Sequence, residues 1–279
     1  MSDCRDNDNN CTQGNDPEDG LPVQCVNEWA KHKHNYIKRY LEATHGVRGK
    51  FIRDSGAAYV DLFSGPGKAR VASTGEIIDG SPRLAVNIDR QPFTDIVLCE
   101  YSKVNIAALE TRFAGQRRVT VVPGDCNEEI TNIIQKQRIP INGYNVALID
   151  PFHVGNLAFS TIAQLANFRR MDLVINFPIV DVRRNWDKVD RIERFVGLSV
   201  DSWGFEVSPK MAPKILALFQ EQLTRLGYRE QQTRAPQITN EGNTALYHLV
   251  FASKHELGSQ IWQSISSIEP SGQRRLPGM

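Results

Sequence analysis

The chain has 279 residues, 41% of them hydrophobic and 23% charged, with a formal net charge of +1. That length suits one large domain or two small ones, and that composition is ordinary for a folded globular protein. The near-zero charge excludes a global field that would by itself mark a polyanion binder, and no stretch approaches the roughly 18 apolar residues that cross a bilayer.

Residues 1–24 are rich in Asp, Asn and Gly and nearly lack large apolar side chains. Such a segment buries too little surface to offset its ordering entropy, so disorder is expected there. Its acidic, polar start is the opposite of a signal peptide, which predicts a cytoplasmic location and reduced thiols. The five cysteines, Cys4, Cys11, Cys25, Cys99 and Cys126, are odd in number and form no CxxC pair. They are read as free thiols, and no metal site is expected. Order should begin near Cys25. Trp29, Lys33, Ile37, Tyr40/Leu41 and Thr44 share one helical stripe, and Gly46 is expected to stop that helix.

Next, Ala57–Phe63 is apolar on both faces and bounded by glycine-rich turns, the signature of a strand in a parallel sheet covered on both sides. Lys68–Asp79 reads as an insertion, either a lid or a surface loop. Helices are predicted at 82–88, 104–113, 128–137 and 159–167. Strands are predicted at 95–100, 118–123, 144–150 and 172–177. A helix over 213–226 precedes two strands, 228–234 and 244–253. Alternating strands and helices predict a doubly wound, Rossmann-like α/β fold. The last two strands are expected to close a mostly parallel seven-stranded sheet as an antiparallel hairpin. Residues 25–266 are thus expected to form a single domain, with residues 267–279 as a flexible tail.

Ligands on such sheets sit outside the carboxyl ends of the strands, so the residues just after each strand carry the functional signal. After the first strand come Asp61-Leu62-Phe63-Ser64-Gly65-Pro66-Gly67. Gly65 and Gly67 let the backbone turn sharply and approach a ligand, beside Phe63, and Asp61 can hold an ammonium group. The second strand ends in Glu100, suited to a ribose diol. The third leads into Asp125 and Cys126, suited to an adenine amine and ring. The fourth ends in Asp150-Pro151-Phe152. Each is weak alone, since a glycine turn or a terminal acid is common at any strand end. Four in order fit one nucleoside amino acid, S-adenosylmethionine (SAM). The dinucleotide alternative fails on the third small residue, and no Gly-Lys-Ser/Thr loop is present for a nucleoside triphosphate.

These residues, with Trp29 and Lys33-His34, Gly80-Ser81-Pro82, Gly124-Asp125-Cys126-Asn127, Asn176-Phe177-Pro178-Ile179 and Arg194-Phe195-Val196-Gly197, resemble the three-Cys-motif partner family (TcmP) over about residues 25–205. The layout is also similar to rRNA adenine-N6 methyltransferases. The resemblance implies a class I methyltransferase-like fold, SAM as cofactor, and a radical-SAM-like partner that carries the three cysteines. Where the adenine methyltransferases have Asp-Pro-Pro-Tyr, this chain has Asp150-Pro151-Phe152-His153, which leaves the methyl acceptor open.

On this reading Asp150 accepts a proton or hydrogen bond from the acceptor, or merely caps a helix. Phe152 stacks on a planar substrate or belongs to a core. His153 is a general base or a surface histidine. Lys33, His34, Ser81, Asn176 and Pro178 border the substrate. Arg183, Arg184, Lys188, Arg191 and Arg194 suit a nucleic-acid backbone, but Asp181, Asp187, Asp190 and Glu193 interleave with them, as on a solvated face with i,i+4 pairs. Three functions compete: a SAM-dependent methyltransferase with a nucleic-acid substrate, a non-catalytic adaptor for the radical-SAM-like partner, and a nucleic-acid-binding module. None needs a membrane.

Overall fold

The computed structural model describes residues 14–136, 139–229, 237–239 and 245–269. It opens on two short antiparallel strands, β1 (Gly14–Asn15) and β2 (Pro22–Val26), where composition predicts disorder. Apart from Val23, which is fully buried, the segment is held by ion pairs. The Asp16 carboxylate is buried against the Lys68 ammonium, and Asp19 meets the Arg112 guanidinium. A composition rule counts apolar side chains and is blind to such pairs. The rest of the expected disordered stretch, residues 1–13, lies outside the described residues. Cys25, in β2, is disulfide-bonded, so the free-thiol expectation fails there. Cys99 and Cys126 are free and buried.

Helix α1 (Trp29–Ala43) buries Ala30, Tyr36, Ile37, Tyr40 and Leu41, close to the predicted stripe. It ends at Ala43 with Thr44 as its cap, earlier than Gly46, and the Thr44 hydroxyl donates to the Tyr40 and Leu41 carbonyls. Gly46 falls instead within α2 (His45–Gly49). Strand β3 (Ala57–Asp61) is buried at all five positions, as its sequence requires. The expected insertion is neither lid nor plain loop. It is a hairpin, β4 (Lys68–Val71) against β5 (Ile77–Asp79), and β4 also pairs in parallel with β2. These strands make a small sheet in the order β1-β2-β4-β5.

The chain then alternates: α3 (Ser81–Val86), β6 (Asp95–Glu100), α4 (Lys103–Arg112), β7 (Val119–Pro123), α5 (Cys126–Lys136), β8 (Tyr144–Ile149), α6 (Phe159–Leu165) and β9 (Met171–Phe177). Three helices come next, α7 (Ile179–Arg184), α8 (Val189–Val196) and α9 (Ala212–Arg225), then β10 (Gln237–Thr239), β11 (Ala245–Ala252) and α10 (Glu256–Ser266). The penultimate strand is shifted from its expected place. Tyr228 and Arg229 are not in a strand, and β10 occupies 237–239; residues 230–236 lie outside the described residues.

The large sheet has the order β10-β11-β9-β8-β3-β6-β7. Strands β7, β6, β3, β8 and β9 run parallel, and β11 runs antiparallel to β9, with β10 turned back along its outer edge. This is the doubly wound, mostly parallel seven-stranded sheet with a terminal antiparallel hairpin that the alternation predicts. The pleat sends Ala57 and Tyr59 to one face and Ala58 and Val60 to the other. The first face packs on α1, α3 and α10 through Tyr40, Ala85 and Trp262. The second packs on α5, α6, α8 and α9 through Ile130, Ile162, Phe195 and Phe219. Beyond α10, the carbonyl of Ile268 accepts a hydrogen bond from Arg39 at 3.0 Å, so the expected tail is tied down at its start. Residues 270–279 lie outside the described residues. No helix among the described residues is long and apolar enough to cross a membrane.

Candidate functional site

The strand order reverses at β3, where the chain leaves toward β6 on one side and β8 on the other, and sheets of this kind bind ligands outside the carboxyl ends of the strands at that point. Asp61 ends β3 and is fully buried. Its Oδ1 accepts from the Phe63 amide at 3.2 Å and its Oδ2 from the Tyr59 hydroxyl at 3.1 Å. The Ser81 hydroxyl bonds it as well. Every one of these donors is neutral, and no Lys, Arg or His among the described residues forms an ion pair with it. Burial pushes its pKa up to about 6, against the lowering effect of the Ser81, Phe63 and Tyr59 hydrogen bonds; the nearby Asp150 charge pushes the same way as burial.

The turn above Asp61 needs glycine at two places. Gly65 has φ 59° and Gly67 φ 90°, both in the left-handed region. Glu100, at the end of β6, accepts from the Gly65 amide at 2.7 Å and from the Ser102 amide at 2.8 Å. It therefore pins the glycine turn. A carboxylate accepting one bond per oxygen still keeps lone pairs on each. Phe63 is half-buried at the start of the same loop.

Asp125 takes a local role. Its Oδ1 accepts from the Asn127 amide at 2.8 Å and the Asn127 side chain at 2.7 Å, at the start of α5. Cys126 is buried with the core, where burial pushes its thiol up to about 12. Asn127, unremarked as a site residue in the sequence, accepts from the Ala158 amide at 2.7 Å and from Thr161 at 2.8 Å, tying α5 to α6.

Asp150, just after β8, is held from two sides. Its Oδ2 is ion-paired with Lys33 of α1, and its Oδ1 accepts from Asn176 of β9 at 2.7 Å. Asn176 must present its amide nitrogen to the carboxylate, which leaves its Oδ1 buried and unpartnered among the described residues. The Lys33 ammonium also lies 5.7 Å from the centre of the Tyr247 ring. His34, next along α1, has a buried Nδ1 with no hydrogen-bond partner among the described residues. Desolvation, helped by the Lys33 charge, lowers its pKa to about 4, so the ring is neutral near pH 7. Pro178 caps α7 directly after β9.

The two residues after Pro151 do not join a core. Phe152 is 73% exposed, and its ring meets that of His153 edge-on at 4.9 Å. The His153 Nδ1 lies 3.0 Å from Asp181 Oδ1, whose partner oxygen accepts from the Val154 amide at 2.8 Å. Asp181 thus anchors the loop that carries Phe152. The expected i,i+4 pairing of the basic cluster is not what the structure has. Asp181 serves this loop and Glu193 accepts from the Val200 amide at 2.6 Å. Arg183, Arg184 and Arg191 are exposed and form no ion pair with described residues; Lys188 pairs only with its neighbour Asp187 at 3.1 Å.

The structure thus brings Asp61, Ser81, Lys33, His34, Asp150 and Asn176 together, with the glycine turn and Glu100 beside them. Cys126 stays in the core, and Phe152 and His153 stand at the rim. Tyr59 and Tyr247 join the site unread in the sequence. Tyr59 could have been found, two positions from Asp61 on the same strand face. Tyr247 carries no local signal, because only the antiparallel return of β11 beside β9 brings it near Asp150.

No protein-family model matches the chain, and no curated protein matches its sequence. Among solved structures the chain is similar to the DszA carbon methyltransferase, with a TM-score of 0.48 and 13% identity over 82% of this chain and 55% of that one. It is similar to M. jannaschii TYW2 in complex with AdoMet, at a TM-score of 0.40 and 12% identity over 87% of this chain and 85% of that one. It is also similar to the Methanococcus jannaschii fibrillarin pre-rRNA processing protein, at a TM-score of 0.42 and 11% identity over 71% and 66%. At such identities a likeness concerns fold alone. The class defined by the sheet order itself is a methyltransferase-like α/β fold.

Proposed function

We propose that this chain is a SAM-dependent methyltransferase of the three-Cys-motif partner type, acting on nucleic acid. The observation that carries the reading is Asp61, a fully buried carboxylate supplied only with neutral donors. A buried charge is costly unless it is paired, so the site is built to receive a cation. The ammonium of the methionine end of SAM fits that need. Glu100 has lone pairs left for the ribose diol, and the Gly65–Gly67 turn lets the backbone lie against the ligand. SAM brings an activated methyl group on sulfur, which leaves the protein to position the acceptor and receive a proton.

Asp150 is the group placed to take that proton, with Lys33 and Asn176 fixing its orientation. Phe152, exposed beside it, offers a ring on which an unstacked base can lie. Arg183, Arg184 and Arg191, relieved of acidic partners, suit the phosphate backbone. Calorimetric titration with SAM and S-adenosylhomocysteine tests the cofactor. Binding that is lost in Asp61→Asn supports the reading, and failure of both ligands to bind the wild-type chain overturns it. Transfer of radiolabelled methyl groups to RNA, DNA or protein fractions then identifies the acceptor.

One observation favours a second reading. Both oxygens of Asp150 already have partners, Lys33 and Asn176, as suits a structural rather than a reacting group. SAM binding without transfer to any fraction would support a non-catalytic adaptor for the radical-SAM-like partner.

A further inference from the structure

The opposite end of the sheet holds a cavity that the cofactor site does not use. It has a volume of about 190 Å³ and almost wholly apolar walls, formed by Val47, Phe51, Ile261 and the Tyr144 ring. It lies at the amino-terminal ends of β8 and β9, roughly 20 Å along the strands from Asp150 at a rise of about 3.3 Å per residue. Its mouth lies beside Leu257, which is 48% exposed.

Charge around the cavity is one-sided. Lys50 and Arg170 line it, and neither forms an ion pair with a described residue; His255 lies beside Asp172 in the same lining. Arg170 is held with its guanidinium 4.9 Å over the Phe51 ring and one nitrogen 3.0 Å from the Asn142 carbonyl, so its charge is fixed beside the mouth. The one acid in the lining, Asp172, is spoken for. It is buried, and its Oδ2 accepts from the Tyr40 hydroxyl at 2.6 Å and the Tyr144 hydroxyl at 2.9 Å. Ser253 bonds it as well. Gly258 allows this: a Cβ there would stand 2.5 Å from the Ser253 hydroxyl oxygen and 3.3 Å from Asp172 Oδ2. Asp172 therefore ties α1 and β8 to the end of β11.

From this arrangement we infer a second small-molecule site, which takes a one- or two-ring aromatic carboxylate. Apolar cavities of about 150 Å³ hold a benzene ring, so the volume fits one such ring system. The apolar walls receive the ring, and the basic rim receives the carboxylate, where its charge keeps contact with water and loses little hydration. An amine ligand would face the like charges of Lys50 and Arg170 at the rim.

The test is a titration of the full-length protein with indole-3-acetate, neutral indole and benzylamine, monitored by amide chemical shifts. The expected result is saturable shifts at Val47, Tyr144 and Ile261 in the order indole-3-acetate, then indole, then benzylamine. Lys50→Gln should weaken indole-3-acetate at least fivefold and leave indole within twofold. Val47→Trp, which fills the cavity, should remove both, with circular dichroism checking that each variant is folded. No shifts at millimolar ligand, shifts confined to the Gly65–Gly67 turn, tighter binding of benzylamine, or an equal effect of Lys50→Gln on both ligands overturns the inference. So does cavity protection that appears only with rising protein concentration, which would mark a second copy of the chain as the occupant.

Discussion

At the scale of single residues, Asp61 makes a claim about pH. Its pKa in the folded protein, about 6, lies above the ordinary value of 3.8, chiefly through burial. Ionising it above pH 6 therefore costs the folded state stability, a cost absent below the unfolded value. The shift of roughly two units corresponds to at most about 3 kcal/mol. Asp61→Asn should accordingly unfold at higher denaturant concentration than the wild type at pH 8, with the difference vanishing by pH 4. Cation binding has the opposite requirement, because it needs the ionised carboxylate. SAM affinity should be steady above pH 6 and fall about tenfold per pH unit below it. A flat affinity between pH 7 and pH 4.5 would remove Asp61 from the ammonium site. Asp61, Glu100 and Asp150 were legible in the sequence because an acid at the end of an apolar run marks itself. The Lys33–Asp150 pair was not, because its members are distant in sequence and nothing local links them.

At the scale of elements, the strands that sequence makes plain are those buried on both faces. Strands β3, β6, β8 and β9 are each dominated by apolar residues, so burial dictates both type and limits. The small sheet escaped because its strands are two to five residues long and part of its cohesion comes from ion pairs between residues distant in sequence. Lys68, on β4, lies within reach of Asp16, Glu18 and Asp19, while Arg112 reaches Asp19, the Pro22 carbonyl and the Pro66 carbonyl. Arg112 thus clamps the amino-terminal strands to the glycine turn. The Arg112 guanidinium holds Asp19 down at about 2, below its ordinary 3.8. That stabilisation is complete above the unfolded value and is lost as pH falls through 2, and partial exposure limits it to about 1–2 kcal/mol. Amide exchange of β1 and β2 should accelerate between pH 4 and pH 2 while β3 and β8 stay protected. Lys68→Met should loosen the same strands at neutral pH, since it strands the buried Asp16 charge at a cost of about 3–5 kcal/mol. Unchanged exchange in that variant would mean the small sheet owes its order to something else.

At the scale of the whole molecule, the net charge of +1 conceals an uneven distribution. Sequence spacing alone favours mutual neutralisation of the basic and acidic residues after β9. The fold diverts two of those acids instead: Asp181 anchors the Phe152 loop and Glu193 caps a backbone amide. Interleaving in sequence was therefore a poor guide to pairing in space, because a helix turn sends neighbouring side chains to different surroundings. Arg183, Arg184 and Arg191 remain exposed on the side of the sheet where Asp150 and Phe152 emerge. If this face grips a single-stranded nucleic acid, each contact with a phosphate should add about 0.7 to the slope of log affinity against log salt. Arg183→Gln, Arg184→Gln and Arg191→Gln combined should then lower the slope by about 2 and weaken binding to all sequences alike, with SAM affinity unchanged because none of the three touches Asp61 or Glu100. Phe152→Ala should weaken the same binding without changing the slope, since stacking releases no counterions. A slope indifferent to the three arginines would assign the basic face to solvent and shift the search for an acceptor away from polyanions.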